Sequence, residues 1–163
     1  MTPEAAPDPA DRRLCRVRPA ARADAETITA FNCELARESE GLALDPAVVA
    51  TGVQAVFDDP GRGVYYVAEI DGRPVGQVMT TQEWTDWRNG WFWWIQSVYV
   101  EPHSRRRGVF RALYRHVTSL ARERGDVRGL RLYVVQTNAR AIDTYVRLGM
   151  ARTEYLFYET DLT

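Results

Sequence analysis

Residues 101–110 read EPHSRRRGVF, and they join an apolar run ending at Val100 to an amphipathic pattern that continues to Gly125. The apolar run predicts a strand, and the amphipathic pattern predicts a helix. A helix begins with backbone N–H groups that lack acceptors and with a partial positive charge. Three arginines at this point, with Gly108 letting the backbone approach a ligand, predict a site for a pyrophosphate. The spacing matches neither GxxxxGK[ST] nor GxGxxG.

The elements around this loop extend the unit into an α/β pattern. Three strands precede the loop, and the first two are joined by the tight turn Asp71-Gly72. Upstream of these strands lie a short strand and two helices, with Asp24 and Asp45 as N-caps and Pro46 at the first position of the second helix. The three strands read VYYVAEI (64–70), PVGQVMTTQ (74–82) and WFWWIQSVYV (91–100).

Downstream of the long helix the pattern continues with strand, helix and strand. The predicted order is therefore β, α, α, β, β, β, α, β, α, β. It predicts a mixed, mostly antiparallel sheet of six to seven strands with helices on both faces. The downstream segments read LRLYVV (130–135), NARAIDTYVRLG (138–149) and RTEYLFYET (152–160).

Composition bounds the kind of protein. At 163 residues and 45% hydrophobic, the chain is long enough for one core, which predicts a single domain over residues 13–163. Residues 1–12 are rich in Pro, Ala and Asp and are interpreted as a disordered tail, neither a signal peptide nor a membrane anchor. The net charge of -1 opposes nucleic-acid binding. Cys15 and Cys33 form no CxxC, which favours a reducing cytoplasm and no metal site.

Two motifs resemble the GNAT family of acetyltransferases. Residues 105–110, RRRGVF, resemble the family's [QR]-x-x-G-x-[GA], with Phe110 where the family keeps Gly or Ala. About thirty residues on, NARAIDTYVRLGM resembles N-x-x-A-x-x-x-Y-x-x-x-G-[FM]. The resemblance covers residues 14 to 160, and the positions in register in the second motif are Asn138, Ala141, Tyr145, Gly149 and Met150.

The resemblance implies a GNAT fold and an N-acetyltransferase with acetyl-CoA as its co-substrate. The acetyl group would pass to a primary amine, on a small molecule or a peptide, by direct attack in a ternary complex. A homodimer is a family-level expectation. The strand through residue 100 would part from LRLYVV, so that pantetheine pairs with exposed backbone. The implied cofactor residues are Val98, Tyr99, Val100, Arg105, Arg106, Arg107, Gly108, Val109, Phe110, Arg111, Asn138 and Tyr145.

The resemblance also names catalytic candidates. Tyr145 would protonate the departing thiolate, or it is a packed aromatic of its helix. Asn138 either caps that helix or hydrogen-bonds the CoA moiety. Many family members have Glu at the position of Gln96, and an amide cannot take a proton. Glu83 and Asp86 are therefore the candidate bases, unless water is the base or none is needed.

Two other interpretations compete with an enzyme. A catalytically silent acyl-CoA sensor of the same fold would explain Gln96 and Phe110, and it predicts binding without turnover. A nucleic-acid-binding module would use the loop arginines with the tryptophans, and it requires a broad basic face. The pI near 6.1 makes that second interpretation the weaker one.

Overall fold

A computed structural model describes residues 15–162, so the predicted disordered tail, residues 1–12, lies outside the described residues. The described chain divides into two compact units, 15–133 and 134–162, and each is described by itself. The single domain over residues 13–163 stays a prediction. The first unit contains β1 (Arg16–Pro19), α1 (Ala25–Glu40), α2 (Pro46–Asp58), β2 (Val64–Ile70), β3 (Arg73–Thr85), β4 (Gly90–Val100), α3 (Val109–Arg124) and β5 (Val127–Arg131).

The strands of the first unit form one sheet in the order β1-β2-β3-β4-β5. Neighbours are antiparallel from β1 to β4, whereas β5 runs parallel to β4. A mixed, mostly antiparallel sheet is therefore confirmed. The turn between β2 and β3 places Asp71 and Gly72 at φ 51° and 75°, which is the conformation of the tight hairpin turn that the sequence predicts.

The predicted number of strands is wrong. Five strands are present in the described residues, not six to seven. The strand predicted over 130–135 is displaced towards the N-terminus, at Val127–Arg131. No strand forms over 152–160, where alternating aromatics predict one. A strand forms only where a neighbour accepts its backbone hydrogen bonds, and alternation does not reveal whether such a neighbour exists.

Helices cover both faces of the sheet, as predicted. Tyr65 and Val67 of β2 pack with Ile28 of α1 and Val53 of α2 on one face. The alternate residues of the same strand join Leu113 of α3 on the other face. Successive side chains of a strand point to opposite faces, so one strand contributes to both cores.

The two predicted N-caps behave differently. Asp45 accepts a hydrogen bond from the Ala47 amide at 2.8 Å, with Pro46 at the first helical position. Asp24 stands at the N-cap of α1 but makes no side-chain bond to that helix. Its buried carboxylate accepts from Arg18 at 2.7 Å, and this guanidinium lowers the pKa of Asp24. Asp24 thus joins α1 to β1 by an ion pair.

The second unit, residues 134–162, contains one helix, α4 (Ala139–Arg147). Asn138 caps it by accepting from the Ala141 amide at 3.1 Å, and Gly149 follows it at φ 87°. This is the helix that NARAIDTYVRLG predicts, with Gly in the left-handed position after its end. Across the described residues of both units, every helix is too short or too polar to cross a membrane.

Candidate active site

A β-bulge in β4 determines the geometry of the candidate site. The register between β3 and β4 shifts between Gln77 and Met79, where two residues of β4, Ser97 and Val98, face one residue of β3. Ser97 has φ 50°, in the left-handed region that residues with a side chain rarely adopt. An extra residue of this kind bends its strand and interrupts the ladder locally; pairing resumes at Tyr99 opposite Gln77.

Beyond the bulge, one edge of β4 is open. The parallel pairing with β5 ends at Trp94 opposite Arg131, and no strand of the described chain continues it along residues 95–100. The Glu101 amide donates to the Val75 carbonyl of β3 at 2.9 Å. Backbone groups alternate between the two edges of a strand, so the amide of Val100 faces the open edge. The unpaired edge of β4 thus lies where the resemblance implies a cleft for pantetheine.

The open edge leads into loop 101–108 and the start of α3. Arg106 and Gly108 have φ 64° and 78°, and Gly108 is the N-cap of α3 without a side-chain bond. The Ala112 amide donates to the Gly108 carbonyl at 2.9 Å. The amides of the first turn of a helix point out of its N-terminus, at the positive end of the helix dipole. The start of α3 therefore has the geometry on which the predicted anion site depends, and the site itself stays a prediction.

The three loop arginines have different environments. Arg105 donates to the Val100 carbonyl at 2.8 Å and to the Glu38 carboxylate at 2.5 Å, so it joins the loop to β4 and α1. Arg106 and Arg107 are exposed, and no described residue pairs with their side chains. These two guanidiniums are therefore the ones available to phosphate oxygens, whereas Arg105 fixes the loop.

The other residues implied for the cofactor around this loop are placed as follows. Val109 is 2% exposed in the core, so only its amide can face a ligand. The Tyr99 ring packs on Phe31 with centroids 5.1 Å apart. Phe110 is half-buried and Arg111 is exposed on the first turn of α3.

A buried glutamine holds the bulge. Gln77 is fully buried, and its amide nitrogen donates to the Ser97 carbonyl at 3.1 Å and to Asn32 Oδ1 at 2.7 Å. Asn32 in turn donates to the Tyr65 hydroxyl at 3.1 Å. The network connects α1 and β2 to the strained residue of β4. The amide oxygen of Gln77 has no partner among the described residues.

We expect Gln77→Glu to destabilise the fold strongly at pH 8. A carboxylate there would face two oxygen acceptors in a buried site, which costs about 3 kcal/mol or more. Burial raises the pKa of the introduced carboxyl in the folded state, so the loss of stability should grow as pH rises through that pKa and shrink at pH 5. Urea unfolding at both pH values measures this. Gln82→Glu, at an exposed position of the same strand, should change stability by less than about 0.5 kcal/mol; equal effects of the two substitutions would contradict the network.

The candidate bases Glu83 and Asp86 have other partners. Glu83 accepts from the Trp94 indole at 2.5 Å and from Arg131 at 2.8 Å. Asp86 is exposed, and its carboxylate accepts from the Trp87 amide at 3.0 Å. At a strand rise of about 3.4 Å per residue, Glu83 lies roughly 17 Å along β3 from the bulge.

This separation argues against Glu83 or Asp86 taking a proton directly from an amine held at the bulge. They were candidates because they lie near the connection between β3 and β4, which was expected to face the cleft, but the bulge lies towards the other end of this strand pair. Gln96, at the usual position of the base, donates to the Thr81 hydroxyl at 2.9 Å. A role for Glu83 or Asp86 in the chemistry stays a prediction, now with geometry against it.

The remaining candidates belong to the second unit. Asn138 is a helix cap, one of the two alternatives that the sequence left open. Tyr145 is half-buried on α4, and burial raises its pKa. A phenol with a raised pKa keeps its proton at neutral pH, as a proton donor must. Its role as the acid stays a prediction.

Sequence reasoning missed the polar residues around the bulge, which are Asn32, Tyr65, Gln77 and Ser97. Gln77 carried a signal, because it is the one amide in the apolar run PVGQVM and buried amides need partners. Asn32 and Tyr65 gave none, since each is ordinary in its own helix or strand.

The bulge, the open edge and the helix start together define a class of protein. An open strand edge that leads into a helix N-terminus, beside two arginines that pair with no described residue, suits an elongated ligand with a pyrophosphate, such as an acyl-CoA. The family model described as "Acetyltransferase (GNAT) family" matches residues 31–150. The chain belongs to this acetyltransferase family, as its two motifs predict.

Two solved structures are similar over most of the chain. A possible acetyltransferase from Clostridium difficile 630 is 41% identical, with a TM-score of 0.86 over 92% of this chain and 99% of that one. A predicted acetyltransferase from Clostridium acetobutylicum, solved with acetyl-CoA, is 16% identical and shares the fold, with a TM-score of 0.74 over 90% and 96%.

Curated sequences match over shorter segments. The thialysine N-epsilon-acetyltransferase of Caenorhabditis elegans is 30% identical over 100 residues, 61% of each chain. The chain spans 40% to 61% of the length of the first curated relatives that it matches.

Proposed function

We propose that the protein transfers the acetyl group of acetyl-CoA to a primary amine by direct attack in a ternary complex. One observation carries the proposal: the open edge of β4 runs from the bulge into the start of α3, beside Arg106 and Arg107, whose side chains pair with no described residue. An extended ligand with a reactive end and a pyrophosphate matches that arrangement. Arg106, Arg107 and the N-terminus of α3 would bind the pyrophosphate, and the Val100 amide would bind pantetheine.

The acetyl group must be activated for transfer, and acetyl-CoA supplies it as a thioester. The nitrogen lone pair of a neutral amine forms the C–N bond to the carbonyl carbon, and the C–S bond breaks with its electron pair on sulfur. One proton leaves nitrogen and one reaches sulfur, so the products are an amide and a free thiol. The Val98 amide at the bulge is the proposed donor to the carbonyl oxygen as it gains negative charge.

Tyr145 is the proposed donor of the proton that sulfur receives. Two points support this role: its register in the second motif and a pKa that burial raises. For the proton that nitrogen loses, no side-chain base is proposed, because Gln96 is an amide and Glu83 lies far along the strand. Water would take that proton. The ammonium form has no lone pair with which to attack, and no side-chain base is proposed to deprotonate it, so the amine must arrive in its neutral form.

The decrease of kcat/KM at low pH, the acidic limb of the rate profile, should therefore reflect the pKa of the acceptor amine. We expect kcat/KM to fall at low pH with the pKa of the amine itself, and to shift when a less basic amine is used. Glu83→Gln and Asp86→Asn should leave this limb in place. The measurement is the release of free thiol across pH with two amines of different basicity. If either substitution removes the limb, that carboxylate is the base.

The first test of the proposal is a screen of amines for thiol release from acetyl-CoA. Binding of acetyl-CoA without turnover on any amine would favour the sensor alternative, which Gln96 and Phe110 suggest. No binding at all would overturn both. A reducing cytoplasm and a homodimer remain predictions, as does the absence of a nucleic-acid partner.

A further inference from the structure

A cavity of about 340 Å³, open to solvent over much of its extent, lies between α1 and α2. This volume lies at the small end of the range in which proteins bind small molecules. Ser97, the residue of the bulge, is part of the cavity wall. The cavity therefore meets β4 at the point where the proposed cleft for pantetheine begins. Its apolar wall consists of Leu35, Leu44, Val49, Val53 and the backbone of Gly52.

The polar part of the lining is small, and hydrogen bonds from a residue outside the lining fix its position. Asn32 and Tyr65 line the cavity together with Ser97. The Tyr65 hydroxyl accepts from Asn32 at 3.1 Å, which leaves the phenol able to donate its own proton. Gln77 fixes the Asn32 oxygen at 2.7 Å. The polar groups are thus preorganised to meet a few atoms of a ligand, not a long polar chain.

Charge in the lining is one-sided. Glu40 is the charged residue among the described side chains that line the cavity, and no arginine accompanies it. An incoming ammonium ion is attracted by Glu40, whereas a carboxylate would enter an apolar cavity without a cationic partner. A long polycation would place its other charges against the apolar wall, where they lose water without gaining partners.

We propose that this cavity is the acceptor site and that it takes a small primary amine with a compact apolar body and no carboxylate. The inference rests on the acetyltransferase function proposed above. The amine nitrogen would lie near Ser97, and the apolar body would lie between α1 and α2. The walls on α2 decide which body fits, since they are the part of the lining without polar atoms.

One matched set of acceptors tests the chemistry. The compounds 3-methylbutylamine, leucinamide and leucine share one side chain and differ in what the amine-bearing carbon holds. We expect kcat/KM, calculated for the neutral amine because the three compounds differ in basicity, to be at least about tenfold higher for 3-methylbutylamine than for leucine, because leucine brings a carboxylate. Leucinamide, which is polar but carries no carboxylate, should lie between them. Spermidine should be a poor acceptor. Leucine or spermidine as the best acceptor would overturn the inference.

One matched pair of variants tests whether the acceptor binds in this cavity. A Cβ on Gly52 meets no atom within 4 Å, so Gly52→Leu should fold and fill the cavity. Thr51→Leu is the control, on the exposed side of the same helix. We expect Gly52→Leu to raise the KM for 3-methylbutylamine about tenfold. The Kd for acetyl-CoA should stay within about twofold in both variants, and the KM should stay unchanged in Thr51→Leu.

Different results would overturn the acceptor site and the acetyltransferase activity. If wild-type protein releases thiol with these amines and Gly52→Leu has an unchanged KM, the acceptor site lies elsewhere and the acetyltransferase proposal stands. If wild-type protein binds no acetyl-CoA, or releases no thiol with any amine, the proposed function fails and this inference fails with it.

Discussion

Reversing both free arginines of the loop, Arg106→Glu with Arg107→Glu, is expected to raise the Kd for acetyl-CoA at least about hundredfold. Each arginine is positioned to make a charge-assisted hydrogen bond with a phosphate, worth about 1.5 to 3 kcal/mol, and the reversal adds repulsion. Gly108 is left in place, so the left-handed start of α3 at φ 78° is preserved. Calorimetric titration of the double variant and the wild type measures the change.

The control carries the same change of charge elsewhere. Arg16 and Arg122 are exposed, and no ion pair joins either of them to another described residue. Arg16→Glu with Arg122→Glu should therefore bind acetyl-CoA nearly as tightly as the wild type. Binding should also weaken as salt is added, since the phosphate contacts are exposed. Equal binding of acetyl-CoA by the loop variant and the wild type would show that the pyrophosphate does not bind at the start of α3.

Tyr145→Phe is expected to lower kcat about hundredfold while leaving the KM for acetyl-CoA nearly unchanged. Positioned proton transfer contributes about 10² to 10⁴ in rate, and the substitution removes one hydroxyl and keeps the ring. Burial raises the pKa of Tyr145 above its usual value of about 10. The wild-type kcat should therefore stay level from pH 8 to about pH 10, because the phenol keeps its proton there.

The leaving group separates an acid from a packed aromatic. The acetyl thioester of 4-nitrothiophenol releases a thiolate that needs no proton, so wild type and Tyr145→Phe should act on it at similar rates. Tyr158→Phe removes a hydroxyl from a side chain that is 86% exposed and should change neither rate. A Tyr145→Phe variant with full kcat on acetyl-CoA would mean that Tyr145 only packs.

Local pattern was sufficient for much of the fold. The Asp71-Gly72 turn, the Asp45-Pro46 helix start and the amphipathic helix before Gly125 each depend on residues close together in the chain. Such features follow from backbone propensity and periodicity, which a sequence displays directly. The last strand, 152–160, failed for the opposite reason, since a strand exists only through a distant partner.

The same division runs through the candidate site. The motif RRRGVF located the helix start and its arginines, but it could not tell Arg105 from its neighbours. Glu38, which pairs with Arg105, is 67 residues away in the chain. Glu83 and Asp86 looked well placed because distance along a strand is invisible until the register of β3 and β4 is known.

By itself, the sequence determined the family, the order of the elements up to β5 and the position of the arginine-rich helix start, because each is written in short-range spacing. Only the tertiary structure decided where β4 bulges, which loop arginine is paired and where a cavity meets the bulge. Those features depend on contacts such as Gln77 with Asn32, 45 residues apart. Long-range contacts of this kind arise from the packing of the whole sheet, and no local pattern encodes them.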